Sequence, residues 1–154
     1  MCSYYAKHNI EVEPENILVT TGASEAIIMT LDCITNEGDE LNIPEPFYAN
    51  YDTFAAACGV NVIPVSSTID SHFSLPSMDE IEGKINDKTR AILICNPNNP
   101  TGYVYTHKEL NDLAYLVKKY DIFLIVDEVY REFVYDGAIP VSYTHLTLPT
   151  SYAV

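Results

Sequence analysis

The sequence predicts an α/β domain with a mainly parallel sheet, and three observations carry that prediction. Short apolar, strand-like runs alternate with helical patterns along the chain. The two most apolar runs, residues 91–95 and 122–126, are almost uninterrupted, as strands buried on both faces are. Helix-start signatures lie between the runs rather than within them. At 154 residues and 47% hydrophobic content, the chain has the size and apolar fraction of one globular domain or a piece of a larger one.

Taken in order, residues 3–8 read as the last turns of a helix whose beginning is missing, so Met1 is not expected to mark a natural domain start. The runs 17–20 (I-L-V-T), 40–43 (E-L-N-I) and 60–65 (V-N-V-I-P-V) are the first expected strands, followed by 91–95 (A-I-L-I-C) and 122–126 (I-F-L-I-V). Ser77-x-x-Glu80 and Thr106-x-x-Glu109 read as capping boxes, each offering side-chain acceptors to N–H groups at a helix start. After the second box, Leu110, Leu113, Ala114, Val117 and Tyr120 recur at helical spacing and form an apolar face to lay on the sheet. From Val141 onward no helical period continues, and Pro149 interrupts any strand pattern.

Composition removes several function classes. Eight Lys plus Arg against 22 Asp plus Glu give a formal charge of -14, which repels phosphodiester backbones and anionic bilayers, so neither nucleic acid nor membrane is expected as a partner. A small anion is still admissible, because backbone N–H groups at a helix start hold one locally. Cys2, Cys33, Cys58 and Cys95 show no C-x-x-C spacing and read as buried free thiols of a cytoplasmic protein. No run spans a bilayer and the N-terminus lacks a signal-peptide layout. His8, His72, His107 and His145 are dispersed, so no metal site is expected. Dinucleotide, P-loop and nucleophile-elbow motifs do not occur.

Four segments at strand ends admit a functional reading beside a structural one. T-T-G-A-S-E-A at 20–26 opens a helix; its small residues admit close backbone approach, and first-turn N–H groups with the Ser24 hydroxyl make a phosphate cup, although a plain strand-to-helix turn uses the same residues. P-E-P-F-Y at 44–48 presents Tyr48 on a proline-set loop, suited to stacking on a flat heteroaromatic ring or to covering the sheet edge, while Tyr51 and Phe54 read as core. N-P-N-N-P-T-G at 96–102 ends a buried strand with residues that favour neither strand nor helix; its X-Pro bonds are candidates for the cis isomer, and the loop is either an Asx-rich turn or a device for aiming an amide. Asp127 closes the most apolar run, where a carboxylate is costly unless it meets donors or a cation, at the strand end where α/β sheets bind ligands. Tyr130 offers a hydroxyl to the same place, and Glu128 with Arg131 reads as a solvated pair.

Together and in order, T-G-A-S-E-A, P-E-P-F-Y, N-P-N-N-P-T-G and V-D-E-V-Y resemble the class I/II aminotransferases of the aspartate aminotransferase fold, fold type I of the pyridoxal-phosphate enzymes. The resemblance implies a partial three-layer α/β/α large domain at residues 1–140, truncated at both ends, with pyridoxal 5'-phosphate as cofactor. It implies that Ala23 and Ser24 hold the cofactor phosphate, Tyr48 stacks on the ring, Asn99 and Tyr130 meet the phenolic oxygen, and Asp127 pairs with the protonated ring nitrogen. The family's Schiff-base lysine, in an S-x-S-K segment, and its two later arginines have no counterpart here: the last lysine is Lys119 and the last arginine Arg131, so no catalytic residue is assigned.

Residues 141–150 (V-S-Y-T-H-L-T-L-P-T) resemble the translation of a sequencing adapter, so 141–154 are expected to be a read-through tail outside the family domain. In the family, the strand before the phosphate loop pairs with one supplied late in the chain, so the run 17–20 is expected to lack a lateral partner and the chain to fold marginally. The implied function is transfer of an amino group between an amino acid and a 2-oxo acid in a homodimeric parent, with this fragment inactive. A C–S β-lyase sharing N-P-x-N-P-x-G and D-E-x-Y, and a non-catalytic α/β binding module, are the alternatives.

Overall fold

The runs expected as strands form β1 (Glu40–Pro44), β2 (Asn61–Val65), β3 (Thr89–Cys95) and β4 (Phe123–Asp127). With β5 (Tyr152–Ala153) they make a parallel sheet in the order β2-β1-β3-β4-β5. The structure, a computed structural model, describes residues 1–8, 10–133 and 152–153; the expected boundary at residue 140, and the tail apart from β5, lie outside the described residues.

Period-two alternation sorts the side chains to the two faces of the sheet. Ile92, Ile94, Leu124 and Val126 point one way and meet Ile81 of α4 (Met78–Glu82) and Leu110, Leu113, Leu116 and Val117 of α5 (His107–Tyr120). Leu41, Ile43, Ala91, Leu93, Cys95 and Ile125 point the other way, onto Ile27 and Leu31 of α2 (Ala23–Ile34) and Tyr51 and Ala55 of α3 (Asn50–Ala57). The result is the expected three-layer α/β/α arrangement. Each fully buried leucine or isoleucine in these layers contributes roughly 1.5–3 kcal/mol relative to exposure.

The strand order explains why helices cover both faces. From β1 the chain moves outward to β2 through α3, then turns back past β1 to β3 through α4 and onward to β4 through α5. Right-handed crossovers in opposite directions put their helices on opposite faces. The loops leaving β1 and β3 therefore diverge, and the crevice at the carboxyl ends of these strands is the topological switch point where such sheets bind ligands.

Both capping boxes are formed. Ser77 Oγ accepts from the Glu80 N–H at 3.3 Å while Glu80 accepts from the Ser77 N–H at 2.9 Å. Thr106 and Glu109 make the same reciprocal pair at 3.2 and 2.7 Å. Residues 3–8 fall largely within a short helix, α1 (Cys2–Lys7).

Three expectations are corrected. Residues 17–20 are not a strand: Leu18 and Val19 are 71% and 72% exposed, and no strand among the described residues pairs with them. An apolar run needs a lateral partner to become a strand, whatever its composition. Tyr120 leaves the apolar face of α5 and reaches Glu82 with its hydroxyl, while Leu116 takes a buried place on that face. Of the four cysteines only Cys95 is buried; Cys33 is exposed and Cys2 and Cys58 are partly exposed.

Candidate functional site

A cavity of about 220 Å³ lies at the switch-point crevice. Ala23 and Ser24 line it from the start of α2, Tyr48 from the loop after β1, Asn99 from the loop after β3, and Asp127 and Tyr130 from the end of β4 and the turn beyond. The six residues singled out in the sequence, spread over more than a hundred positions, thus face one space.

Each is held there by local structure. Gly22 is the N-cap of α2 and offers no side-chain acceptor, so the first-turn N–H groups of Ala23 and Ser24 lack intrahelical partners and are open to an anion. Thr20 Oγ1 ties the preceding turn to the Gly22 carbonyl at 2.9 Å. The Thr21 N–H and hydroxyl both donate to Glu25, and these bonds hold the Glu25 carboxyl below the usual carboxylate range.

The asparagine-proline loop divides its work. Asn96 Oδ1 accepts from the Tyr105 N–H at 3.0 Å, and Asn98 Nδ2 donates to the Pro46 carbonyl at 3.1 Å and to Thr101 Oγ1 at 2.9 Å. Gly102 closes the loop at φ +73°, a left-handed conformation that favours glycine, with its N–H on the Asn98 carbonyl at 2.8 Å. Both X-Pro bonds of the loop, Asn96-Pro97 and Asn99-Pro100, are cis. With its neighbours committed to the loop, Asn99 is the asparagine that faces the cavity, its amide 3.5 Å from the Tyr130 hydroxyl. The loop is an Asx-rich turn that leaves the Asn99 side chain at the cavity.

Asp127 is 4% exposed. Its Oδ2 accepts from the Tyr51 hydroxyl at 2.8 Å and its Oδ1 from the Val129 N–H at 3.0 Å. Burial raises its pKa above the ordinary aspartate value, and the two donors oppose that rise. No lysine, arginine or histidine among the described residues lines the cavity, so the carboxylate has donors but no cation.

Among the lining residues that the sequence did not single out as functional, Tyr51 and Cys95 carry titratable side chains. Tyr51 is core by burial, as expected, yet its hydroxyl reaches Asp127; the signal was its place one helical turn after Tyr48. Cys95 stands beside Asp127 in the β3–β4 register, and burial followed by the Asp127 charge pushes its thiol up to about 11. The expected solvated pair is corrected: Arg131 Nη2 lies 3.1 Å from Glu128 Oε2, but the side chains are only 6% and 8% exposed. The turn after β4 packs under α1, where the Arg131 guanidinium sits 5.9 Å from the Tyr5 ring centre and Tyr4 bonds Glu132.

A parallel α/β sheet with an anion-ready helix start, an aimed amide and a buried carboxylate at its switch point defines a class of small-molecule site. Comparison with known proteins gives the family. The sequence profile described as "Aminotransferase class I and II" matches residues 1–150. The chain is 40% identical over 131 residues to Bacillus subtilis YugH, covering 84% of this chain and 34% of that one. It is 37% identical over 135 residues to aromatic-amino-acid aminotransferase 2 of Thermococcus litoralis, covering 86% and 34%. Aspartate aminotransferase from Thermus thermophilus with maleate superposes with a TM-score of 0.91 at 27% identity, over 98% of this chain and 39% of that one. The chain belongs to the class I and II aminotransferase family, and it spans about a third of the length of the curated relatives it matches.

The family is dependent on pyridoxal 5'-phosphate. The donor set fits that group: open N–H groups for its phosphate, a buried carboxylate without a cationic partner for its ring nitrogen, and an amide and a phenol side by side for its phenolic oxygen. No helix among the described residues is long and apolar enough to cross a membrane.

Proposed function

We propose that this chain is the cofactor-binding portion of an aminotransferase whose whole protein moves an amino group between an amino acid and a 2-oxo acid. The observation that supports this most directly is the convergence of Ala23, Ser24, Tyr48, Asn99, Asp127 and Tyr130 on one cavity in a member of that family. Ala23 and Ser24 bind the phosphate through backbone N–H groups and the Ser24 hydroxyl, where the helix dipole favours negative charge. Tyr48 covers the ring face. Asn99 and Tyr130 orient the ring by donating to its oxygen, and Asp127 keeps the ring nitrogen protonated. When bound, the cofactor supplies an electron sink for the bond broken at the substrate's Cα.

Proton movement at that carbon needs an amine, and no lysine follows Lys119 in these residues. The 154-residue chain by itself is therefore proposed to bind the cofactor reversibly without transferring amino groups. The four free cysteines support a cytoplasmic, reducing setting, and a homodimeric whole protein is proposed from the family resemblance.

The test is titration of the chain with pyridoxal 5'-phosphate, followed by absorbance and tyrosine fluorescence, alongside Ser24→Ala and Asp127→Asn. Saturable binding, fully reversed by dialysis and weakened roughly ten-fold or more in Asp127→Asn, is the expected result. Absence of saturation, or equal affinity in all three chains, overturns the proposal.

A further inference from the structure

Alternation along β4 turns Asp127 toward the face occupied by α2 and α3, the same face as Ile125. There it meets α3, whose Tyr51 is 1% exposed. The two carboxylate oxygens each take one donor from a different element: Oδ2 from the Tyr51 hydroxyl at 2.8 Å and Oδ1 from the Val129 N–H at 3.0 Å. One donor on each oxygen fixes the plane of the group as well as its place.

The Tyr51 ring is independently packed. Phe47 stacks on it at 6.4 Å with an interplanar angle of 28°, and Tyr48 meets it edge-on at 5.6 Å. The ring would keep these neighbours without its hydroxyl, so the hydroxyl's contribution is separable from the packing. Tyr48, by contrast, has its hydroxyl on Asn50 Nδ2 at 2.6 Å and remains partly open to the cavity. The two tyrosines of the segment 48–51 therefore divide the roles of covering the cavity and gripping its carboxylate.

We propose that Tyr51 is a positioning residue for Asp127: its hydroxyl sets the orientation of the carboxylate and favours the ionised form that a cationic ring nitrogen requires. This inference rests on the cofactor reading above. The groups that face Asp127 agree with it. Burial and the Asp127 charge push the Tyr51 hydroxyl far up, so the proton stays on the phenol and the bond remains a hydroxyl donating to a carboxylate. Cys95 of β3 is a neutral neighbour, its thiol raised by burial and donating to the Pro97 carbonyl at 3.1 Å. Tyr48 and Tyr130 complete the titratable groups lining the cavity from the loop after β1 and the turn after β4.

The test reads Asp127 directly. In the 154-residue chain without added cofactor, the Asp127 carboxyl is titrated by carbon-13 NMR with labelled aspartate, its resonance assigned by its loss in Asp127→Ala. Tyr51→Phe is expected to move the midpoint upward while circular dichroism stays that of the parent chain, with melting lowered only above the midpoint, where the carboxylate is ionised. In parallel, pyridoxal 5'-phosphate affinity is expected to fall roughly ten-fold in Tyr51→Phe. The loss should be largest at the acid end of the profile, and it should vanish in the Asp127→Ala background.

An unmoved Asp127 midpoint in a folded Tyr51→Phe chain overturns the inference, as does an equal loss of affinity with and without Asp127. If the parent chain binds no cofactor, the functional reading falls and the NMR titration alone decides the role of Tyr51. If Tyr51→Phe does not fold, the Tyr51 Cζ resonance is compared between the parent chain and Asp127→Ala. A shift supports the bond and an unchanged resonance overturns it.

Discussion

On the face covered by α4 and α5, both helices start with closed capping boxes, and Glu109 ties the start of α5 to the Leu75 N–H at 2.9 Å and to the Tyr103 hydroxyl. On the face covered by α2 and α3, neither helix has a side-chain cap, and a buried carboxylate, phenol and thiol stand among the aliphatic residues. The first face spends its polar side chains on its own helix ends. The second leaves α2 open toward the cavity and puts polar groups at the strand mouths. At α2 a cap worth about 1 kcal/mol is thus forgone where a ligand's anion can take its place.

This contrast is sharpest when each face is damaged separately. Leu113→Ala opens a hole among residues that touch no ligand, and should cost about 2–5 kcal/mol in urea unfolding while the folded fraction keeps its affinity for pyridoxal 5'-phosphate. A Leu113→Ala chain that is folded but has lost that affinity would break the division between faces.

Asp127→Asn probes the other side through pH. The folded pKa of Asp127 lies above its unfolded value, so in the cofactor-free chain this group contributes stability at acid pH that is lost as pH rises through the folded value. The asparagine cannot ionise, and urea midpoints measured across that window should lose this downward slope. An unchanged slope would mean that Asp127 does not carry the pH dependence of this face.

The smallest effects test the caps themselves. Thr106→Ala should lower stability by about 1 kcal/mol with no change in cofactor affinity. Ser24→Ala should leave stability within about 0.5 kcal/mol and weaken cofactor binding instead. If the two substitutions gave the same pattern, the open start of α2 would be an ordinary helix end.

Much of this arrangement was legible before any coordinates. The strands that became β1 to β4 announced themselves by composition, and Ser77 to Glu80 and Thr106 to Glu109 by three-residue spacing. The loops at strand ends stood out by their residues, and the resemblance to the aminotransferase family then picked the six cavity residues out of them. The run 17–20 shows where reading by composition stops: it was expected to lack a lateral partner, and without one it lies exposed and forms no strand despite its composition. Glu128 and Arg131 show the same limit, since three-residue spacing predicts that they meet but not that α1 and the turn after β4 bury them.

What the sequence determined by itself is therefore the local chemistry: which residues start a helix, which alternate along a strand, and which interrupt both. These depend on neighbours within a turn or a pleat, which the order of residues specifies. The tertiary structure alone decided that Tyr51 grips Asp127 and that Cys95 stands beside it. Tyr51 and Asp127 are 76 residues apart, and only the β1–β3–β4 register brings α3 over the end of β4. A contact of that kind depends on the order in which strands lie side by side, which no local spacing encodes.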